Sequence, residues 1–234
     1  QVGQWQRSDP HWQEAVDFIR SGKLGNIRLV RVFSYQGWCP SIPVLPDEPV
    51  PAGVDYNMWL GPAPERPFNR NRFHFTFRWF WDYAGGLMTD WGVHLLDFAL
   101  FGMDVTAPKS IMASGGKFGY PDDACETPDS LQVIYEFEGF NVMWDHAIGI
   151  NDGGYGKNAV LGFVGENGTL VVDRGGWECQ FRALNDTDIL QEHQRVTVQF
   201  RGAFGGPPGP IRPAFQGYVL PVQLSWDRTQ SEAR

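Results

Sequence analysis

The stretch SLQVIYEFEGFNVMWDHAI, Ser130–Ile148, decides the fold. Its halves, SLQVIYEF and FNVMWDHAI, are rich in β-branched and aromatic residues, and Glu138-Gly139 between them supplies a turn, so the stretch predicts a β-hairpin. The same texture runs on: AVLGFVG, TLVVDR and WECQFR are separated by ENG and GG, which predicts a continued meander. From Lys109 onward the chain therefore reads as strands. The fold class expected is α+β: an open, mostly antiparallel β-sheet with helices packed on one face. From Leu131 to Phe181 polar and apolar residues alternate poorly, as in VIYEF and FNVMW. Both sheet faces are thus expected to be covered, one by helices of the same chain and the other by a partner copy.

Upstream, the helices are marked. In SDPHWQEAVDFIRSGKLG, Asp9 is the expected N-cap and Pro10 takes the first helical position. Trp12, Ala15, Val16 and Ile19 make one apolar stripe, and Gly22 or Gly25 stops the helix. NIRLVRVFSYQGW reads as a strand. Residues 39–67, rich in Pro and acidic residues without a clear period, read as a long loop. FHFTFRWFW, residues 73–81, has aromatics at every odd position and predicts an extended segment with one aromatic face. GGLMTDWGVHLLDF opens a helix over Gly85–Phe101 that ends near Gly102. No internal repeat is evident. Residues 203–234 have no convincing helix or strand period and read as a tail that contributes little to the fold.

Composition narrows the class. Of 234 residues, 42% are hydrophobic and 20% charged, which suits a globular core rather than disorder. A net charge of −8 argues against nucleic acid as the main partner. No apolar run reaches membrane-spanning length. Cys39, Cys125 and Cys179 form no C-x-x-C pair, so free thiols in a reducing, cytoplasmic setting are favoured over an exported protein. The opening QVGQWQRSD lacks a Met and has no signal-peptide pattern, and a cut chain is expected. Ten Trp residues call for a large packing surface or for stacking on a ligand.

The helix at 85–101 carries the chemistry. Asp90, His94 and Asp97 fall at i, i+4 and i+7, on one face, while Leu87, Met88, Trp91, Val93, Leu95 and Leu96 cover the others. A polar stripe on a mostly buried helix needs water, a partner group or a substrate. Two readings stay open on the residues alone: a carboxylate and an imidazole lining a pocket for acid–base work, or a buried polar network. Gly85 and Gly86 would allow a backbone or a cofactor to approach closely, a weak pointer to cofactor binding. A lone D-x-x-x-H is a poor metal signal, and no metal is expected. In the aromatic segment, Trp79, Trp81 and Tyr83 could stack on sugar rings. Arg78, with Arg66, Arg70 and Arg72, would then reach hydroxyls, and His74 is a secondary candidate. Packing is favoured for most of these rings. His11 and His193 read as surface residues, and His146 as structural. No G-x-G-x-x-G follows a strand and opens a helix, and neither GGKFG nor GGYGKN has phosphate-loop spacing.

Four stretches carry a resemblance: SDPHWQEAVDFIRSGKLGNIRLVRV, DYNMWLGPAPERPFNRNRFH, RWFWDYAGGLMTDWGVHLLDFALFGM and TPDSLQVIYEF. They resemble the glucose–fructose oxidoreductase/inositol dehydrogenase/rhizopine catabolism (Gfo/Idh/MocA) family, over about residues 1–175 and most specifically at 78–103. The resemblance implies a parent with an N-terminal Rossmann domain for NAD or NADP and a C-terminal α/β domain whose open sheet commonly mediates oligomerisation. Residues 1–25 would be the last strand, at Gln1–Gln4, and crossover helix of the dinucleotide-binding domain. Residues 26–202 would be the substrate-binding and oligomerisation domain, and 203–234 an atypical tail. The family's D-x-x-x-H pair matches Asp90 and His94. By resemblance, His94 is the general base beneath the nicotinamide, Asp90 orients it or holds the substrate hydroxyl, and Asp97 supports them. The family's Glu-Lys-Pro lysine and glycine fingerprint have no counterpart here, nor does its closing H-x-x-N-F-L-D helix. The implied function is the substrate-binding half of an NAD(P)-dependent oxidoreductase acting on a sugar or polyol hydroxyl, inactive by itself. The alternatives are a redox-elimination glycosidase and a non-catalytic ligand-binding or scaffold module.

Overall fold

The computed structural model describes residues 3–182 and 195–200. The strands are β1 (Ile27–Gln36), β2 (Ser110–Gly116), β3 (Ser130–Glu136), β4 (Asn141–Ile148), β5 (Ala159–Gly165), β6 (Gly168–Asp173), β7 (Gly176–Arg182) and β8 (Arg195–Phe200). They form one open sheet in the order β2-β3-β4-β1-β5-β6-β7-β8. Only β1 and β4 run parallel; every other neighbouring pair is antiparallel. The hairpin predicted at 130–148 is β3–β4, and the meander is β5–β6–β7. The α+β architecture expected from the sequence is the one observed.

The helices are α1 (Pro10–Arg20), α2 (Tyr56–Leu60) and α3 (Val93–Met103). The stripe of α1 packs with Leu95, Phe98 and Ala99 of α3 onto Val30, Val32, Trp144, Leu161 and Phe163 of the sheet. Phe98 is fully buried, its ring 4.4 Å from Trp12 and 6.3 Å from Phe163. Each such ring contributes about 1.5–3 kcal/mol of burial. On the opposite sheet face, Phe33, Val160 and Val171 form a smaller cluster. There Tyr155, from the loop after β4, stacks on Phe33 at 6.2 Å. Toward β2 that face stays open: Met112 and Met143 are 70% and 39% exposed.

Several expectations are corrected. Residues 73–81 are not extended; His74–Trp79 wind as a 3₁₀ helix. Its rings serve different clusters: Phe73 packs on Trp59 and Phe68, while Trp79 is buried with Cys39 and Leu87. An odd-position aromatic pattern therefore did not mean one face. His11 is not a surface residue. It is 4% exposed, with Nδ1 2.8 Å from the Asp9 carboxylate and Nε2 3.1 Å from the Asp173 carbonyl. Asp9 holds the N-cap position of α1, yet its carboxylate turns to His11 and caps no helix amide. The helix after Gly85 carries a π-helical turn at Met88–Gly92 before α3, which the sequence did not announce; α3 ends at Met103, near Gly102 as expected. Asp104 takes the left-handed terminal position (φ 55°), because Gly102 serves packing: a Cβ there would sit 3.1 Å from the Phe163 ring. Asp tolerates that conformation better than most residues.

Residues 39–67 are largely loop, interrupted by α2, whose N-cap Asp55 accepts a bond from the Met58 amide at 3.0 Å. Gln1, Val2, His193 and the tail at 203–234 lie outside the described residues, and Trp5–Ser8 form a 3₁₀ turn. His146 is structural as expected. It is buried, accepts from Trp144 Nε1 at 3.0 Å and donates through Nε2 to the Pro128 carbonyl at 3.3 Å.

Candidate active site

The site forms where the N-terminal 3₁₀ turn, the π-helical turn, α3 and the β6–β7 turn meet. Asp97 of α3 accepts two hydrogen bonds from Arg7, from Nε and Nη2, each 2.6 Å. A pair this exposed contributes only about 0.2–1 kcal/mol. Its consequence is positional, because it lays the turn carrying Arg7 against α3. Gln4, just before that turn, then reaches His94. Its Nε2 donates to the Val93 carbonyl at 3.2 Å, which orients the amide and presents Oε1 to His94 Nδ1, also at 3.2 Å. An amide oxygen can only accept, so His94 carries its proton on Nδ1 and leaves Nε2 with a free lone pair. Burial, and next the charge of Arg174, push the His94 pKa below the usual histidine range, against the opposing fields of Asp90 and Asp97. The ring is accordingly neutral near pH 7.

Asp90 lies in the π-helical turn and bonds to Arg78 Nε through Oδ1 at 3.1 Å. The wider π winding shifts its phase relative to His94 and Asp97. One turns to Arg78 while the others turn to the N-terminal segment. Among the described residues no hydrogen bond joins Asp90 to His94, so Asp90 acts on the imidazole through its field. Arg78 is further held by the Phe75 carbonyl and by the Phe75 and Phe77 rings, 4.4 and 5.0 Å from its guanidinium carbon.

The remaining candidates disperse. Trp79 is buried, its carbonyl accepting from the Glu126 and Thr127 amides. Trp81 is exposed, with its amide on the Glu126 carboxylate at 2.9 Å. Tyr83 lines an open cleft of about 380 Å³ with Trp59, Phe77 and Asp82. His74 is exposed and has a left-handed backbone (φ 54°). Arg66, Arg70 and Arg72 are committed to Asp82, Glu48 and Asp47 at 2.5, 2.5 and 3.0 Å, so they pin the 39–67 loop rather than wait for hydroxyls. Beside Gly86 (φ 67°) the space is filled by Thr127, and beside Gly85 by Thr89. Among the described residues no His/Cys/Asp/Glu cluster could hold a metal. None of their helices is long and apolar enough to cross a membrane.

Sequence reasoning missed Gln4, Arg7 and Arg174. Arg174, in the β6–β7 turn, lies over Trp91 and Trp5, its guanidinium carbon 4.3 and 5.0 Å from their ring centres. The only signal for it was the DRGG turn, which reads as punctuation.

An open, mostly antiparallel sheet covered on one face by helices is the architecture of a C-terminal α/β domain. The chain belongs to the Gfo/Idh/MocA oxidoreductase family, whose C-terminal alpha/beta domain profile matches residues 27–154, more than half of it. Levoglucosan dehydrogenase, solved with NADH and L-sorbose, is 16% identical at a TM-score of 0.54, over 85% of this chain and 45% of that one. An NAD-binding oxidoreductase from Klebsiella pneumoniae is 18% identical at 0.54, over 86% and 46%. Such identities speak for the fold. The chain spans less than half the length of either structure. No curated protein matches it.

The electrostatics predict opposite shifts at one reporter. Asp90→Asn lowers the His94 pKa further, because it removes a field that favours the imidazolium. Arg174→Gln raises it, because it removes one that opposes the imidazolium. NMR titration of the His94 ring protons reads both; shifts of the same sign in the two variants would refute this arrangement.

Proposed function

We propose that the chain is the substrate-binding half of an NAD(P)-dependent oxidoreductase that oxidises a sugar or polyol hydroxyl, with His94 as the base. The single observation behind this reading is the free Nε2 of a neutral His94, fixed as such by Gln4. Such a nitrogen takes the hydroxyl proton as the carbinol carbon gives up hydride and becomes a carbonyl. NAD or NADP, when bound, accepts that hydride. The residues present fit such a cofactor in the proton acceptor they supply, while its phosphates would be held by the dinucleotide-binding domain of a longer parent. Asp90 keeps the imidazole basic through its field, and with Arg78 it offers hydrogen bonds to substrate hydroxyls. Asp97 positions Gln4 through Arg7. Residues 26–202 serve as the substrate domain. Free thiols at Cys39, Cys125 and Cys179 favour a reducing, cytoplasmic setting.

A second copy of the chain is the proposed cover for the open sheet face. Met112, Ile134 and Met143 lie in one cross-strand row there, and two of the three are exposed. Light scattering should give a dimer or larger assembly that Met143→Asp shifts toward monomer. A wild-type monomer at high concentration would contradict it.

His94→Ala in the full-length enzyme should lower turnover by about 10²–10⁴-fold while leaving cofactor affinity nearly unchanged. The acid limb of the wild-type rate profile should fall below the usual histidine range, since protonating Nε2 removes the base. Turnover per folded molecule that survives in His94→Ala, with only the melting temperature lowered, would assign His94 a structural part instead.

A further inference from the structure

Arg174 is the charge that the site does not use. It sits in the turn after Asp173, but the Asp173 carboxylate is taken by Lys157 at 2.6 Å and by the Gly175 amide at 2.8 Å. Asp90 is taken by Arg78 and Asp97 by Arg7. Among the described residues no carboxylate pairs with Arg174, and its Nε is buried without a hydrogen-bond partner. The guanidinium lies over the rings of both Trp91 and Trp5. Stacking of this kind fixes the plane of an arginine and leaves its edge N–H groups free for an acceptor. Burial disfavours its charge, and Asp90 only partly offsets that. Trp91 and Trp5 are the chain neighbours of Asp90 and Gln4, so these ring contacts set Arg174 on the side of the proposed base.

Resting on the reading that this site binds a sugar, we propose that Arg174 receives an anionic group of the substrate, a carboxylate, so that the substrate is a sugar acid rather than a neutral sugar. The guanidinium fork matches a planar carboxylate through two parallel hydrogen bonds. The charges in the site support a monoanion: Arg7–Asp97 and Arg78–Asp90 cancel, and one cation is left over. A dianionic phosphate would be half matched. A carboxylate also meets the guanidinium with opposite charge, which the hydroxyls of a neutral sugar lack, and that difference would set the selectivity.

Calorimetric titration of the full-length protein with NADH present, using D-glucuronate, D-glucose and D-glucose 6-phosphate as probes, tests this. Glucuronate should bind about tenfold or more tighter than glucose, and tighter than the phosphate. Arg174→Gln should erase the preference for glucuronate over glucose; Arg174→Lys should keep part of it, having the charge without the fork. The wild-type comparison stands even if a variant folds poorly. Equal binding of glucuronate and glucose overturns the proposal and leaves the sugar oxidoreductase reading intact. A preference for the phosphate overturns the carboxylate assignment. Binding of none of the three overturns both readings.

Discussion

A carboxylate on a helix laid into an apolar core must find a partner or be driven out of its charged form. That constraint organises the described chain. Three polar side chains interrupt the helix that begins after Gly85, and each finds a partner far away in sequence or in another element. Asp97 recruits Arg7 and with it the N-terminal turn. His94 recruits Gln4 from the same segment. Asp90 recruits Arg78, which draws the 3₁₀ helix at His74–Trp79 to the same place. The N-terminal segment and the 3₁₀ helix therefore converge on one helix that needs polar partners, and the site lies where they meet.

The convergence also fixes a protonation state. Gln4 can be oriented only because its amide nitrogen is occupied by the Val93 carbonyl. With that end tied, the other end accepts, and the tautomer of His94 follows. Partial burial then keeps the ring neutral. A group that holds an unprotonated nitrogen at neutral pH, beside a carboxylate that stabilises the proton once it arrives, is suited to accept one. Arg174 pulls the other way. Its charge makes the imidazolium harder to form, and an anion on Arg174 would relieve that. Occupation of Arg174 by an anion would therefore raise the basicity of His94.

Much of the fold was legible because it rests on local pattern. The Ser130–Ile148 hairpin, the β5–β7 meander and the stripe of α1 are encoded by periodicity and turn residues, and tertiary packing does not reverse them. Asp90, His94 and Asp97 were visible because charge inside an apolar helix stands out. What escaped depends on contacts between residues far apart in sequence. Nothing in QWQRSD announces that Arg7 will meet Asp97, ninety residues on. His11 looked exposed because a histidine near a helix start is usually solvated; here the Asp173 carbonyl covers it. The aromatic run at 73–81 misled because ring spacing is shared by strands and by 3₁₀ turns that feed two clusters. A π-helical turn leaves no composition signal, so the divergence of Asp90 from His94 shows only in the folded chain.

His94 Nε2 is the proposed proton acceptor in a hydride transfer. A crystal structure of the full-length enzyme with reduced cofactor and a bound sugar tests it most directly. Nε2 should lie within about 2.6–3.2 Å of the hydroxyl whose carbon faces the nicotinamide, with Gln4 still on Nδ1. A complex in which Nε2 faces a main-chain carbonyl and another side chain meets that hydroxyl would contradict it.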